Sequence, residues 1–332
     1  MTIRIADVGR AVDAIRGASS LTLACHQNPD GDALGSMLAM FHLAKAQGVE
    51  VVCSWPTPFV VAPHYRYLPG LDQATKPGDF PERPELMITF DCGSMGRLGD
   101  LADSALRAQT LMVLDHHRTN DNYGSINLID VDAAATAVVV RHLVKALGWE
   151  LNRDAAMCLY TGLVTDTGRF QYESTTPAVF ALAQELAGFD LPLAEITRQL
   201  FEEHRFTYLK LMAMALERAQ LDREIDFVAT WVSQDDLARF GVEVDEMEGL
   251  IDIVRRTAEA EVACVLRQTP NGVKVSLRSL SELDVGAIAM SFGGGGHRHA
   301  GGFETEDSVE NVLAKIRDAV RAAQAVSRRA SN

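Results

Sequence analysis

Short runs of β-forming residues alternate with longer helical patterns through the first half of the chain. The β-type runs cover residues 21–25, 49–55, 86–91 and 111–115, and a helical pattern covers 33–47. This alternation is typical of a parallel sheet with helices on both faces, because parallel strands need long crossover connections that usually contain a helix. We therefore predict an α/β fold, which binds its ligands at the carboxyl edge of the sheet.

The second half of the chain follows a different pattern. Residues 133–218 are mostly helical, and β-rich segments such as IDFVATWV, EVACVLRQ and NGVKVSLRS then return, ending in a helical pattern near 306–324. A chain of 332 residues with 47% hydrophobic content is long enough for two cores. We predict four segments: an N-terminal parallel-sheet α/β domain (1–195), a helical linker (196–220), a smaller C-terminal α/β domain (221–326) and a disordered tail (327–332).

Charge and cysteine usage exclude several classes of protein. The net charge of −14 opposes binding to long duplex nucleic acid, which depends on Lys and Arg neutralising many phosphates. The five cysteines are odd in number and never spaced as CxxC, so we expect a reducing compartment. No apolar run approaches the roughly 18 residues of a membrane span. We expect a cytoplasmic protein that does not act at a membrane.

The segment from His26 to Ser36 reads His-Gln-Asn-Pro-Asp-Gly-Asp-Ala-Leu-Gly-Ser and follows the first β-type run. It places an imidazole and the carboxylates of Asp30 and Asp32 in a strand-to-helix turn, which Pro and Gly sharpen so that the side chains can converge. Such ligands suit hard divalent ions such as Mn²⁺ or Mg²⁺. An Asx turn at Asp30 and a helix cap at Asp32 are the alternative, and the segment alone does not decide.

Further polar residues follow other apolar runs. Asp91 comes after a strand of the buried type, where a carboxylate is costly unless it is paired, hydrogen-bonded or metal-bound. Asp115 is followed by His116 and His117, whose diverging imidazoles allow one to bind a metal while the other faces a substrate. Asp166 ends an apolar helical pattern. Taken separately, each of these residues can also be a turn, cap or structural residue.

Taken together, these positions supply at least four carboxylates and two imidazoles near successive strand ends. That is enough for two ions that share a bridging aspartate, an arrangement that suits in-line displacement at phosphorus. A closed structural metal site would usually use cysteine-rich ligation, which this sequence does not offer. Bound cations would also reconcile an acidic chain with an anionic substrate, because they reverse the local sign of charge.

In the second half, Arg278 ends a β-type run and precedes the glycine-rich segment 292–302, which contains His297 and His299. Four consecutive glycines permit close backbone approach to an anion, and a helix following them would direct its N–H groups at a phosphate. The arginine and histidines would add side-chain donors. A flexible loop is the alternative for the glycine run.

The motifs that carry these residues resemble those of the DHH/DHHA1 phosphoesterases, and within them the bacterial nano-RNase/pAp phosphatase group. They occur in the family order and span nearly the whole chain. The motifs are HxxPDGDALGS from His26, Asp91, DHH at 115–117 with Asn120, TDTGxF at 165–170, and SLRS…DVxxIAxxFGGGGHxxAGG over 276–302. The resemblance implies a two-domain DHH/DHHA1 architecture.

The resemblance also implies a ligand set for two Mn²⁺ ions, with Mg²⁺ able to replace Mn²⁺. His26, Asp30 and Asp91 would hold one ion. The other ion would be held by Asp32, Asp91, His116 and Asp166. Asp91 would then bridge the two ions.

Roles for further residues follow from the same resemblance. His117 would contact the scissile phosphate or assist the leaving group, and Asp115 would orient the histidines. Arg97 is a further candidate phosphate contact, with a solvated surface arginine as the alternative. The substrate-binding groups of the second domain, facing the metals across a cleft, would be Arg278, Gly294, Gly295, Gly296 and His297, with His299 as an additional donor.

We expect a phosphoesterase that hydrolyses short oligoribonucleotides, 3′-phosphoadenosine 5′-phosphate (pAp), or linear or cyclic dinucleotides such as c-di-AMP. The sequence does not rank these substrates, and it leaves a homodimer open. A polyphosphatase or pyrophosphatase with the same metal site is one alternative. A catalytically silent nucleotide-binding regulator is another, against which the intact ligand set argues.

Overall fold

The structure is a computed structural model that describes residues 5–247 and 249–330. The chain divides into two compact units between Glu202 and Glu203. This boundary lies inside the segment 196–220, where the sequence places the change of domain.

A five-stranded sheet forms the centre of the first unit, with the strand order β2-β1-β3-β4-β5 and every pair parallel. Four of its strands correspond to the predicted β-type runs. The fifth, β5, was not predicted, because it has only four residues and lies at the sheet edge. The strands are β1 Ser20–Cys25, β2 Glu50–Ser54, β3 Leu86–Phe90, β4 Thr110–Asp115 and β5 Ile126–Ile129.

Seven α-helices accompany this sheet in the described part of the first unit. Short 3₁₀ turns lie at Pro63–Tyr65, Leu71–Gln73, Pro77–Asp79 and Met95–Leu101, and a π-helical turn lies at Arg198–Glu202. The helices are α1 Ile5–Gly17, α2 Gly31–Ala46, α3 Ala102–Arg107, α4 Thr136–Leu147, α5 Arg153–Asp166, α6 Pro177–Ala187 and α7 Leu193–Thr197.

Alternate strand residues enter two different hydrophobic clusters. Leu21, Leu23 and Cys25 of β1 join the large cluster that includes α2, α4 and α5, whereas Ala24 joins a smaller cluster with residues of α3. This two-residue period is that of a β-strand buried on both faces. The predicted parallel α/β fold with helices on both faces is therefore confirmed.

Glycines allow α2 and α5 to pack closely beside the carboxyl edge of the sheet. A Cβ atom at Gly35 would lie 2.3 Å from the carbonyl oxygen of Cys158, and one at Gly162 would lie 2.6 Å from Oδ1 of Asp32. Side chains larger than hydrogen would separate the two helices. The close contact brings the end of α5, at Asp166, toward the start of α2.

The second unit contains a six-stranded sheet with the order β10-β11-β9-β8-β7-β6. Only the β7–β8 pair is parallel among its described strands. The strands are β6 Gln220–Asp222, β7 Phe227–Val232, β8 Val262–Thr269, β9 Gly272–Ser279, β10 Gly295–His297 and β11 Ala300–Thr305.

Helices of the second unit pack in two hydrophobic clusters on the sheet. One cluster includes residues of α11 and α12, and the other includes residues of α8, α9 and α10. Helix α8 lies within the predicted linker 196–220 and contributes Tyr208, Leu211 and Ala215 to the second cluster. The helices are α8 Phe206–Glu217, α9 Gln234–Phe240, α10 Leu250–Val254, α11 Val285–Ser291 and α12 Val309–Ala330, with a 3₁₀ turn at Val244–Met247.

The glycine-rich segment is a β-hairpin, so the expectation of a helix after the four glycines is wrong. Helix α11 precedes the glycines, and β10 and β11 follow the first two of them. A Cβ atom at Gly294 would lie 2.1 Å from the oxygen of Gly302, and one at Gly296 would lie 2.2 Å from that of Ala300. The glycines therefore allow backbone segments to meet at distances that no side chain permits.

The end of the chain was predicted as a disordered tail over 327–332. Residues 327–330 continue helix α12, and residues 331 and 332 lie outside the described residues. Across the described ranges, no helix combines the length and the apolar character that crossing a membrane requires.

Candidate metal centre

The metal-ligand candidates of the first unit converge at the carboxyl edge of its parallel sheet. His26, Asp91 and His116 directly follow β1, β3 and β4, which are neighbours in the sheet. Because parallel strands end at the same edge, residues distant in sequence meet there. Helix ends bring the remaining candidates: Asp30, Asp32 and Asp166.

Asp91 lies at the centre of this group. Its backbone has a φ of 54°, in the left-handed region, and its N–H donates to the carbonyl of Leu114 at 3.0 Å. The buried carboxylate faces two sides, with Oδ2 lying 3.6 Å from Nε2 of His26 and Oδ1 lying 3.6 Å from Nε2 of His116. A left-handed non-glycine residue is strained and persists where the surroundings fix it.

The cap of helix α2 is Asp30 and not Asp32, the residue considered for that role from the sequence. Asp30 accepts hydrogen bonds through Oδ1 from the N–H groups of Asp32 at 3.1 Å and Ala33 at 3.0 Å. Its other oxygen, Oδ2, lies 3.8 Å from Nε2 of His26. Capping therefore uses one oxygen and leaves the second facing the histidine.

His26 is oriented by its Nδ1 atom, which lies 2.8 Å from the carbonyl oxygen of Gln27. A carbonyl only accepts and the guanidinium of Arg97 only donates, so Nδ1 can hydrogen-bond with one of them at a time, and Nε2 faces the carboxylates in either case. Nη2 of Arg97 lies 3.0 Å from the same Nδ1, so the arginine lies against the histidine. Burial and Arg97 lower the pKa of His26, but Asp30 and Asp91 outweigh them and raise it to about 9.

His116 faces three carboxylates. Nδ1 lies 3.0 Å from the carbonyl oxygen of Ala133, which fixes the ring, and Nε2 lies 3.0 Å from Oδ2 of Asp166. The same Nε2 lies 3.6 Å from Oδ1 of Asp91 and 3.9 Å from Oδ2 of Asp32. A backbone acceptor on one imidazole nitrogen is a common way to direct the other at a metal.

Asp32 is completely buried at the second position of α2. Burial raises the pKa of its carboxyl well above the usual range, and the charges of Asp91 and Asp166 raise it further. By contrast, nearby His117, His26 and His116 hold the pKa of Asp91 well below its usual range despite burial. Like charges this close disfavour full ionisation unless a cation lies among them.

Asp115 and His117 form a hydrogen-bonded pair beside these residues. Oδ1 of Asp115 accepts from Nδ1 of His117 at 2.7 Å and from the N–H groups of His116 and His117 at 2.7 and 3.1 Å. Oδ2 accepts from Nδ2 of Asn120 at 2.6 Å. These donors hold Asp115 in place, and Asp115 in turn fixes the ring of His117.

The donor set fits divalent cations. Three groups of side-chain atoms in the first unit each lie within 4.8 Å of one another, and the two that match the proposed ligand sets are His26 with Asp30 and Asp91, and Asp32 with Asp91 and His116. Ligand atoms bound at right angles to a Mn²⁺ or Mg²⁺ ion lie about 3 Å apart, so small adjustments would close both groups. Carboxylates with imidazole suit Mn²⁺ in particular, and Asp91 belongs to both groups.

The candidates of the second unit gather at one end of its sheet. Arg278 of β9 pairs with Ala300 of β11, and Ala300 pairs with His297 of β10. The Arg278 guanidinium donates to the carbonyl of Leu277 at 3.0 Å, and Nε lies 4.0 Å from Oδ1 of Asp252. His299 accepts a hydrogen bond from the N–H of Ser279 through its carbonyl oxygen.

Two contributors to the centre were missed in the sequence. Thr136, the first residue of α4, donates its hydroxyl to Oδ1 of Asp91 at 2.8 Å. Gly162 of α5 provides the space that Oδ1 of Asp32 occupies. Both residues lie in apolar helical patterns, and the chain carries no local signal that would connect them with aspartates more than 40 residues away.

Comparison with known proteins places both units in one family. The pattern of the DHH family, N-terminal domain, matches residues 20–163, and that of the DHHA1 domain matches residues 225–325. In solved structures, an exopolyphosphatase-related protein from Bacteroides fragilis has a TM-score of 0.89 at 22% sequence identity, covering 98% of both chains. This likeness supports the fold assignment.

Curated relatives cover the chain almost completely. A bifunctional oligoribonuclease and PAP phosphatase NrnA from Thermus thermophilus is 30% identical over 316 residues, which are 94% of this chain and 93% of the relative. The protein of the same name from Bacillus subtilis is 26% identical over 299 residues, 88% of this chain and 91% of the relative. The chain therefore belongs to the DHH/DHHA1 phosphoesterase family.

Proposed function

We propose that this protein is a divalent metal-dependent phosphoesterase that hydrolyses short oligoribonucleotides, pAp or both, with linear or cyclic dinucleotides such as c-di-AMP as further candidates. The observation that carries the proposal is the position of Asp91, whose two oxygens face two separate groups of ligand atoms. The names of the relatives from Thermus thermophilus and Bacillus subtilis support the choice of substrates.

The proposed ligands form two sets that share Asp91. His26, Asp30 and Asp91 would hold one ion. The second set consists of Asp32, Asp91, His116 and Asp166. Ions bound by these residues would supply an activated water for attack at phosphorus and would neutralise charge on the phosphate. The mixture of carboxylate and imidazole ligands favours Mn²⁺, with Mg²⁺ as a substitute.

His117 is the proposed group for the reacting phosphate. Its Nδ1 atom is hydrogen-bonded to Asp115 at 2.7 Å, which directs Nε2 away from the carboxylate. Burial lowers the pKa of His117, but in the metal-free protein Asp91 and Asp115 outweigh burial and raise that pKa. A protonated imidazole can donate to a phosphate oxygen or to a leaving group.

The second unit is proposed to bind the part of the substrate that does not react. Arg278 offers a guanidinium for a phosphate or a base, with His297, His299 and Gly294–Gly296 as neighbouring contacts. Gly295 differs from its neighbours, since a Cβ atom there would have no atom within 4 Å. Packing does not require glycine at this position, which supports a close approach of ligand to its backbone.

A hydrolysis panel tests the proposal. The substrates are pApA, longer oligoribonucleotides, pAp, c-di-AMP and pyrophosphate, each assayed with Mn²⁺, Mg²⁺ or EDTA. We expect turnover of pApA or pAp that is best with Mn²⁺ and absent in EDTA. Turnover of pyrophosphate alone would instead identify a pyrophosphatase, binding of nucleotides without turnover would identify a regulator, and full activity after exhaustive chelation would refute the metal-dependent mechanism.

A further inference from the structure

Helix α4 begins without a capping side chain of its own. Its N-cap residue is Ala135, which has an extended backbone and makes no side-chain hydrogen bond to the helix. The first N–H groups of a helix have no partner within the helix, and they are costly when buried. Thr136 and Ala137, the first two helical residues, are both completely buried. Their N–H groups therefore need acceptors from elsewhere in the fold.

Asp32 supplies these acceptors from a different helix. Its Oδ2 accepts from the N–H of Thr136 at 2.5 Å, and its Oδ1 accepts from the N–H of Ala137 at 3.0 Å. Oδ1 also accepts from the hydroxyl of Ser36 at 3.2 Å. These three hydrogen bonds hold both oxygens of Asp32 in place.

Thr136 connects Asp32 with Asp91. While its N–H donates to Asp32, its hydroxyl donates to Oδ1 of Asp91 at 2.8 Å. Threonine has few χ1 rotamers, and the hydrogen bond to Asp91 selects one of them, so the hydroxyl has a defined position relative to the backbone N–H. Thr136 therefore contacts two carboxylates that come from two different elements.

The Thr136 hydroxyl contacts only one of the two carboxylate oxygens of Asp91 among the described contacts. Thr136 reaches Oδ1 of Asp91, the oxygen that faces His116, whereas Oδ2 of Asp91 faces His26. Loss of the hydroxyl should therefore disturb the Asp32–Asp91–His116 group more than the group that contains His26.

We propose that Thr136 is a positioning residue that holds Asp32 and Asp91 in the arrangement that binds the ion on the His116 side. The inference rests on the proposed metal site and adds a determinant of affinity to it. When a residue that orients a metal ligand is removed by mutation, metal affinity typically falls by about 10- to 100-fold. We expect a loss of this size without the Thr136 hydroxyl.

Three variants isolate that hydroxyl. Thr136→Val keeps the side-chain shape and the N–H but removes the hydroxyl, whereas Thr136→Ser keeps the hydroxyl. Thr161→Val is the matched control, because Thr161 is equally buried but its hydroxyl bonds with the carbonyl of Met157 and the hydroxyl of Tyr67. If Thr136→Val fails to fold, Thr136→Ala also lacks the hydroxyl and places no additional methyl group beside Asp91.

The experiment is isothermal titration calorimetry of metal-free protein with MnCl₂, with circular dichroism to check that each variant is folded. We expect Thr136→Val to bind one of two ions about 10- to 100-fold more weakly, while Thr136→Ser and Thr161→Val bind like the wild type. Wild-type affinity in Thr136→Val, or an equal loss in Thr136→Ser, would overturn the role of the hydroxyl. A wild-type protein that binds no Mn²⁺ would instead overturn the proposed function, and this inference with it.

Discussion

In the first unit, each aspartate of the candidate metal centre lies among histidines or N–H donors that fix its position, whereas in the second unit the glycine motif is explained mostly by packing. Asp30 and Asp32 each cap a helix while facing the centre. Gly294 and Gly296 occupy positions where a Cβ atom would lie within 2.2 Å of a backbone oxygen. The aspartate and histidine motifs of the first unit and the glycine motif of the second are equally conspicuous in the sequence. Close backbone packing explains most of the glycine motif, but it does not explain the buried carboxylates.

The difference shows how far a motif can be used as a sign of function. A buried cluster of carboxylates is costly for folding, so its presence calls for a cation or another function. A run of glycines is explained when backbone segments meet closely, as α11, β10 and β11 do. In the second unit, the indication of ligand binding therefore depends on Arg278 and Gly295 rather than on the run as a whole.

The largest effect is expected for Asp91→Ala. If Asp91 serves both ions, its loss removes several kcal/mol of charge stabilisation, and hydrolysis of pApA should fall by about 10³-fold or more while the fold is retained. Asp103→Ala is the control, since Asp103 is exposed and bonds only with Arg107 in the described contacts. Ordinary turnover in Asp91→Ala would show that Asp91 is a turn residue.

The second largest effect is expected for Arg278→Ala, which tests whether the second unit binds substrate. Arg278→Ala should cost about 1.5–3 kcal/mol of substrate interaction, or about 10- to 150-fold, mainly in KM if the contact is equal in ground and transition states. Metal binding should be unchanged. Arg278→Lys should restore little, because an ammonium cannot reproduce the planar guanidinium.

Steady-state kinetics on a short oligoribonucleotide and on bis-p-nitrophenyl phosphate show whether Arg278 selects nucleotides. Arg321→Ala, on the exposed face of α12, is the control for a lost positive charge. An equal response of both substrates, or of neither, would mean that Arg278 does not select nucleotides.

Gly162→Ala tests the packing that supports the metal centre. Its Cβ atom would lie 2.6 Å from Oδ1 of Asp32, which hydrogen bonds hold in place. We expect about 1–3 kcal/mol lower stability from overpacking and about 10- to 100-fold weaker Mn²⁺ binding. Gly9→Ala, in α1 with open space around it, should instead keep the metal affinity and slightly raise the melting temperature. Equal changes in stability and Mn²⁺ affinity in the two variants would contradict the close contact between Gly162 and Asp32.

The smallest effect on catalysis is expected in the glycine motif itself. Gly295→Ala should change the stability of the second unit by less than about 0.5 kcal/mol, because its Cβ atom enters open space. It should raise KM severalfold, because the same atom would lie where the ligand is proposed to approach the backbone. Gly294→Ala should cost about 1–3 kcal/mol of stability or more, because its Cβ atom would meet the oxygen of Gly302. Thermal unfolding measures the change in stability of each variant, and steady-state kinetics measures its KM. An unchanged KM in Gly295→Ala would show that Gly295 does not belong to the binding surface.

Much of the arrangement could be predicted because the relevant signals are local. Asp91 and His116 directly follow apolar strands, and the sheet order brings those strand ends together. The role of Thr136 could not be predicted, since its partner Asp32 lies 104 residues away and the cap of α4 comes from another helix. The β10–β11 hairpin was missed because consecutive glycines carry no alternation of side chains to indicate a strand.

The central claim is that Asp91 is shared by two metal ions. Anomalous diffraction from crystals grown with Mn²⁺, collected at the manganese absorption edge, tests it directly. We predict two anomalous peaks, each touching one oxygen of Asp91, the first beside His26 and Asp30 and the second beside Asp32, His116 and Asp166. No peak in this region, or peaks that Asp91 does not contact, would contradict the claim.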